Sequence, residues 1–242
     1  MTENNKSRCV YCGGTATTDD HVPPKNIFPR PLPSNLVTVR SCETCNCGSS
    51  KDDEYFRSVL VFRDGVAESN VGSQVWETVR RSLRRPQAKR FAQSLANSIF
   101  DKPVETEHGI FVGTAPAMSI DRERIERVID RTVRGLYFHH FQRSIPTSDK
   151  LVIYHDDIVR QWPSAFTDMV GEIVAVVTRQ EHNRMGDDVF EYCFAAVSDH
   201  PTASAWALRF YANTYVLAVN LPNDYAEMAE EALALDTKNG EQ

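Results

Sequence analysis

Long apolar runs are missing from this chain of 242 residues. No stretch approaches the ~18 consecutive apolar residues that a helix needs to cross a bilayer. Residues 1–8 are polar and lack the apolar core of a secretory signal, and neither repeats nor low-complexity segments occur. Hydrophobic residues make up 41% of the chain and charged residues 25%, which is ordinary for a soluble globular protein. We therefore expect a cytoplasmic protein without a membrane partner.

The cysteines are unevenly placed. Five of the six cysteines lie between positions 9 and 47, and only Cys193 lies elsewhere. Cys9 with Cys12, and Cys42 with Cys45, form two Cys-x-x-Cys pairs. In a reducing compartment such pairs are more often zinc ligands than a redox dithiol or a disulfide framework. Four thiolates complete a tetrahedral site without an open position, so we predict a structural zinc ion.

The two parts of the chain differ in charge, and the net charge is -6 at pH 7. Residues 1–100 hold 14 Lys and Arg against 10 Asp and Glu, whereas residues 101–242 hold 13 against 23. The basic excess therefore accompanies the cysteines. This asymmetry is compatible with nucleic-acid binding by the first part of the chain.

Apolar spacing and turn residues predict an α+β fold. We expect a polar tail at residues 1–8, a cysteine module at 9–62, an accessory α+β domain at 63–235 and a second tail at 236–242. Within the module, β-branched residues predict a strand at 36–40. A helix is predicted at 50–62, capped by Ser50 and with acidic residues in its first turn.

The predicted accessory domain combines helices with an antiparallel sheet. Residues 72–100 are expected to be helical with a break at Pro86. Residues 121–142 are expected to form a long amphipathic helix that begins at Asp121. A short strand is predicted at 108–119, and a last helix at 223–234. Five antiparallel strands are predicted at 151–154, 173–178, 189–197, 205–211 and 215–221.

The segment between the two cysteine pairs carries the candidate chemistry. Asp20 and His21 are adjacent, and Pro23 follows shortly after them. Asn35 precedes the second cysteine pair, and Asn46 directly follows it. Over residues 9–55 this order resembles the HNH endonuclease family, in an HNN variant. The resemblance implies a small zinc-stapled ββα-metal module of treble-clef type, in which a hairpin and a helix grip a divalent cation.

Each candidate residue has a role in phosphodiester hydrolysis, which needs an activated water and neutralised charge at the phosphate. A neutral histidine can take a proton from water near pH 7, so we predict that His21 is the general base. A carboxylate suits Mg²⁺ or Mn²⁺, which makes Asp20 a candidate ligand. Neighbouring strand residues point to opposite faces, so Asp20 and His21 can share a site only if the backbone bends. The resemblance implies that Asn46 is the second ligand and that Asn35 orients His21.

Several basic residues could contact a phosphate backbone, although each could equally be a solvated surface charge. They are Lys25, Arg30, Lys51, Arg80, Arg81, Arg84 and Arg85. The acidic run Asp52-Asp53-Glu54 could supply a third ligand for the cation, but charge at a helix N-terminus explains it as well. Cys47 could compete with Cys45 for the zinc.

These predictions together favour a metal-dependent endonuclease that hydrolyses phosphodiester bonds of DNA. Zn²⁺ would be the structural ion and Mg²⁺ or Mn²⁺ the catalytic one, and a homo-oligomer is compatible with this interpretation. Two alternatives stay open. One is a non-catalytic zinc module that binds nucleic acid or protein, and the other is a ribonuclease or toxin that uses the same site. A role in phage defence is suggested by family analogy alone.

Overall fold

The computed structural model describes residues 7–106, 108–155, 164–197, 200 and 202–222. These residues form an α+β fold, as predicted. The helix predicted at 223–234, the tail at 236–242 and most of the tail at 1–8 lie outside the described residues. In the described part, no helix is long and apolar enough to span a membrane.

The first part of the chain forms a hairpin followed by a helix. Strand β1 (Thr18–Val22) pairs antiparallel with β2 (Val37–Ser41), and a one-turn helix α1 (Glu43–Asn46) and a 3-10 turn lead into α2 (Ser50–Phe62). The strand predicted at 36–40 and the helix predicted at 50–62 are confirmed. The prediction that Ser50 caps α2 is wrong, because the preceding 3-10 turn already has helical backbone and Ser50 is the first residue of α2.

The middle of the chain is helical and breaks at Pro86, as predicted. Helices α3 (Asn70–Leu83) and α4 (Lys89–Asn97) flank a short 3-10 turn that starts at this proline. The strand predicted at 108–119 is β4 (Phe111–Met118), and its antiparallel partner β3 (Ile99–Glu105) was not predicted. The long helix α5 (Arg122–Phe141) begins after Asp121, whose carboxylate accepts a hydrogen bond from the backbone N–H of Arg124.

The last described part is a five-stranded antiparallel sheet in the order β5-β9-β8-β7-β6. Its strands are β5 (Lys150–His155), β6 (Asn183–Met185), β7 (Phe190–Ala196), β8 (Ser204–Phe210) and β9 (Thr214–Leu221). The strand predicted at 173–178 is wrong, because this β-branched run lies in helix α6 (Ser164–Val177). Val170 and Val177, seven residues apart, are buried on one face of that helix. The fifth strand of the sheet is β6 instead.

Helix α5 is the central element of the core. Its residues Val128, Ile129 and Leu136 are fully buried. One continuous apolar cluster extends from the hairpin through α2 and α5 to the sheet, where it includes Trp206. The ring of Phe56 meets that of Phe210 edge to face, with 5.2 Å between centroids, which joins α2 to β8. The hairpin therefore shares its core with later parts of the chain.

Gly135 marks the closest approach of α5 to the hairpin. A Cβ atom at this position would lie 2.5 Å and 2.9 Å from the two methyl carbons of Val22. Both residues are buried, so neither can move without disturbing the core around it. Glycine thus allows α5 to pack directly against the strand that carries Asp20 and His21.

We expect Gly135→Ala to destabilise the protein by about 1–3 kcal/mol, because overpacking outweighs the better helix propensity of alanine. The matched control is Gly171→Ala in α6, where a Cβ meets nothing within 4 Å. That change should leave stability unchanged or raise it by up to about 1 kcal/mol. Urea unfolding measures both, and equal behaviour of the two variants would contradict the tight contact.

Candidate functional site

The four cysteines of the two pairs form a compact cluster. Their Sγ atoms all lie within 4.8 Å of one another, and the Sγ atoms of Cys12 and Cys42 are 3.7 Å apart. A tetrahedral zinc ion with bonds of about 2.3 Å requires Sγ–Sγ separations of about 3.8 Å. All six cysteines are free thiols, so a disulfide framework is excluded. The cluster could therefore hold a structural metal ion such as zinc, whereas Cys47 is exposed and outside it.

Local backbone structure positions these thiols. Cys9 and Cys12 lie in a turn that is closed by a 2.9 Å hydrogen bond from the N–H of Gly13 to the carbonyl of Cys9. Cys42 precedes α1, and its Sγ accepts a hydrogen bond from the N–H of Cys45. Burial opposes ionisation of Cys9, but backbone hydrogen bonds from Cys42, Cys12 and Tyr11 outweigh it and lower its pKa to about 6. Metal ligation requires thiolates. Burial and neighbouring thiols raise the pKa of Cys45, so that Cys9 is the readier of the two to ionise.

The strand β1 directs Asp20 and His21 to opposite faces. Asp20 pairs across the hairpin with Val39, and His21 pairs with Thr38, in a register without a bulge. Asp20 is 5% exposed and faces the core, whereas His21 is half-buried on the outer face. The bend that a shared site would require is not present. The structure therefore does not bring these two side chains together.

Asp20 belongs to a buried network of charges. Its Oδ2 atom accepts a 2.9 Å hydrogen bond from the hydroxyl of Tyr11 and lies 3.3 Å from Nε of Arg131. Arg131, 7% exposed, also donates a short hydrogen bond to Asp53 of α2. Burial raises the pKa of Asp53 to about 6, against the opposing effect of Arg131. One guanidinium thus joins α5 to both β1 and α2.

The acidic run at the start of α2 is committed to the same interface. Asp52 accepts hydrogen bonds from Arg124 and Arg127 of α5, both at 2.8 Å. The guanidinium of Arg124 also donates to the backbone carbonyl of Lys51. Lys51 is exposed. The acidic run that was predicted to offer a third cation ligand therefore pairs with arginines of α5 instead. The signal that could have revealed it is the spacing of Arg124, Arg127, Arg131 and Arg134, which lie on one face of a helix.

The two predicted asparagines occupy different places. Asn46 lies beside β1, where its Nδ2 donates to Oγ1 of Thr18 and to the carbonyl of Asp19, both at 3.1 Å. Asn35 donates a 2.7 Å hydrogen bond to the carbonyl of Arg184 in β6. Among the described contacts, Asn35 makes none with His21. It ties the hairpin loop to the sheet.

The outer face of the hairpin is polar and carries charges of both signs. Arg40 of β2 forms a 2.9 Å ion pair with Asp19. Burial lowers the pKa of His21 below its usual value, and the charge of Lys25 adds to this effect. The charges of Asp20 and Asp19 oppose it, and Arg30 has a smaller lowering effect. A histidine with a lowered pKa is mostly neutral at pH 7.

The predicted basic contacts on α3 and directly after it differ in how they are paired. Arg80 forms a 2.7 Å ion pair with Glu77, and Arg81 donates to the backbone carbonyl of Glu77. Arg84 and Arg85 are exposed and form no ion pair with any described residue. Arg57 of α2, which the sequence did not single out, is buried close to this group.

Comparison with known proteins finds no match to a family model, to a curated protein or to a solved structure. The likeness to HNH endonucleases therefore rests on the motif residues alone.

We expect Arg131→Met to cost about 3–5 kcal/mol of stability, because it leaves two buried carboxylates without the cation that pairs with them. The control is Arg127→Met, which removes a half-exposed ion pair to Asp52 and should cost less than about 1 kcal/mol. Urea unfolding at pH 7 measures both. The deficit of Arg131→Met should shrink at low pH, since protonation removes the unpaired charge. Equal losses in the two variants would show that Arg131 is no more than a surface partner.

We expect the purified chain to carry one zinc ion, and Cys42→Ser to lose it together with the folded hairpin. Cys47→Ser is the matched control and should retain the metal, because its thiol lies outside the cluster. Elemental mass spectrometry gives the zinc content, and circular dichroism reports folding. Loss of zinc from the Cys47 variant, or its retention by the Cys42 variant, would contradict the four-cysteine assignment.

Proposed function

We propose that this chain is an endonuclease that hydrolyses phosphodiester bonds, with His21 as the general base. One observation carries the proposal. The half-buried imidazole of His21 lies on the outer face of a hairpin that four cysteines could staple and that a helix follows. The charges of Lys25 and Arg30 act on this imidazole, against those of Asp20 and Asp19. This hairpin-and-helix order is also what the HNH resemblance implies.

The chemistry at the outer face follows from these groups. A nucleic-acid strand is a polyanion, so Lys25 and Arg30 attract it towards the hairpin. The neutral imidazole of His21 takes a proton from a water molecule within hydrogen-bond reach. The water oxygen then bonds to phosphorus, and the bond from phosphorus to the leaving sugar oxygen breaks. That oxygen takes up a proton from solvent, and the imidazolium of His21 returns its proton to solvent, which balances the reaction.

A divalent cation between Asp20 and Asn46 does not fit the described contacts. The carboxylate of Asp20 accepts a hydrogen bond from Tyr11 and faces Arg131, so a cation would have to displace this guanidinium. Asn46 is more suitable, because it binds β1 through Nδ2 and its amide oxygen is left for another partner. The proposed steps therefore do not use a divalent cation, and the cleavage assays test whether one is required.

A non-catalytic zinc module that binds nucleic acid is the second candidate. The buried contacts of Asp20 with Tyr11 and Arg131 favour it, because a carboxylate that holds the core together is not free for a reaction. Such a module would bind a strand through Lys25 and Arg30 without cutting it. Under both candidate functions, we infer that the protein acts in the cytoplasm, where thiol ligands stay reduced.

Cleavage assays distinguish these candidates. Supercoiled plasmid DNA and RNA are incubated with the wild type, with His21→Ala and with His108→Ala, in Mg²⁺, in Mn²⁺ or in EDTA. His108 is an exposed histidine between β3 and β4 and serves as the matched control. Because EDTA also removes zinc, that arm is repeated after zinc alone is restored. Comparison of DNA cleavage with RNA cleavage identifies the substrate.

We expect the wild type and His108→Ala to cut, and His21→Ala to be slower by about 100-fold or more. Cleavage that returns with zinc alone would show that Mg²⁺ and Mn²⁺ are dispensable. Binding without cleavage under every condition would support the zinc module. Equal cutting by wild type and His21→Ala would remove His21 from the reaction.

A further inference from the structure

A cavity of about 430 Å³ lies between the loop after β1, helix α2 and helix α3. Four cations line it, namely Lys25, Arg30, Arg57 and Arg81. We name this the basic cavity. None of the described residues that line it is acidic. Its volume is in the range of small-molecule binding sites.

Arg57 is the unusual member of the basic cavity. It is 9% exposed, and its Nε atom has no hydrogen-bond partner among the described residues. Its contacts are loose, with Oγ of Ser82 at 3.4 Å and Glu54 at 3.8 Å. Burial lowers the pKa of Arg57, which means that the surroundings disfavour its charge. A buried guanidinium with loose contacts at the wall of a cavity is suited to pair with an anion that enters it.

The other walls supply donors at matching positions. Gln74, Thr78 and Arg81 follow one another along a single face of α3 and line the same cavity. Arg81 is exposed, and its guanidinium donates to the carbonyl of Glu77 and to Thr78, so that helix α3 holds it in position. Asn26 also lines the cavity, and its buried Oδ1 has no donor among the described residues.

We propose that the basic cavity binds a phosphate group of a nucleic-acid strand and thereby aligns the strand with His21. The inference rests on the proposed function for the direction of the strand, because Lys25 and Arg30 line the cavity and their charges also act on His21. Arg57 and Arg81 extend the contact to the far side of the loop. Of the basic residues on α3, Arg81 is thus the one that meets phosphate inside a formed site.

Binding is measured by fluorescence anisotropy of a labelled oligonucleotide, as single-stranded DNA, duplex DNA and RNA, without divalent ions. The proteins are the wild type, Arg30→Gln, Arg81→Gln and Arg90→Gln. Arg90 is an exposed arginine of α4 that does not line the basic cavity, so it controls for the loss of one surface charge. Arg57→Gln is added only if circular dichroism shows that it folds.

We expect Arg30→Gln and Arg81→Gln to weaken binding about tenfold, as loss of a charge-assisted hydrogen bond does. The slope of log affinity against log salt should fall by about one for each variant. Arg90→Gln should match the wild type. Wild-type affinity in Arg81→Gln, or an equal loss in Arg90→Gln, would overturn the proposal in favour of a diffuse basic surface.

A second measurement separates a nucleic-acid strand from free phosphate. Orthophosphate is titrated in a buffer that contains no other multivalent anion, and thermal unfolding is followed. Stabilisation by orthophosphate together with no oligonucleotide binding would overturn the strand and leave a site for free phosphate. Cleavage is not measured here, so the outcomes are separable. If the wild type binds the oligonucleotide but cuts no substrate in the cleavage assays, the basic cavity is supported and the nuclease is rejected. If it cuts but Arg30→Gln and Arg81→Gln bind as the wild type does, the nuclease is supported and the basic cavity is rejected.

Discussion

The guanidinium of Arg131, buried between Asp20 of β1 and Asp53 of α2, is the interaction on which the described arrangement most depends. A buried charge is costly unless it is paired, and here one cation is shared by two carboxylates. This pairing orients α5 against both β1 and α2. Gly135, one turn further along α5, then allows the backbone to approach Val22. The position of β1 relative to the core follows from these two contacts.

The hairpin has two faces with different tasks as a consequence. Its inner face holds Asp20 in the core, and its outer face carries the half-buried His21. The cysteine cluster closes the end of the hairpin and could make it rigid without taking part in chemistry. The basic cavity lies on the other side of the loop that follows β1, against α2 and α3.

Local signals predicted the elements whose ends have a chemical cause. Asp121 caps α5, and Pro86 separates α3 from α4. Where tertiary packing determined the secondary structure, the sequence pattern gave no prediction or a wrong one. The β-branched run in α6 suggested a strand, although its helical face covers the sheet. Strand β3 is exposed along its whole length and contains Pro103, so it had no alternation to detect and depends on its pairing with β4.

The sequence by itself determined the four-cysteine cluster, because two short spacings leave the thiols few ways to be arranged. It also determined which side chains could act as base, ligand or phosphate contact. Only the tertiary structure decided which way they point. Asp20 turns inward because Arg131, far away in the chain, is brought to it by the packing of α5. Asn35 bonds to Arg184 for the same reason, since long-range ion pairs and hydrogen bonds exist only once the core has formed.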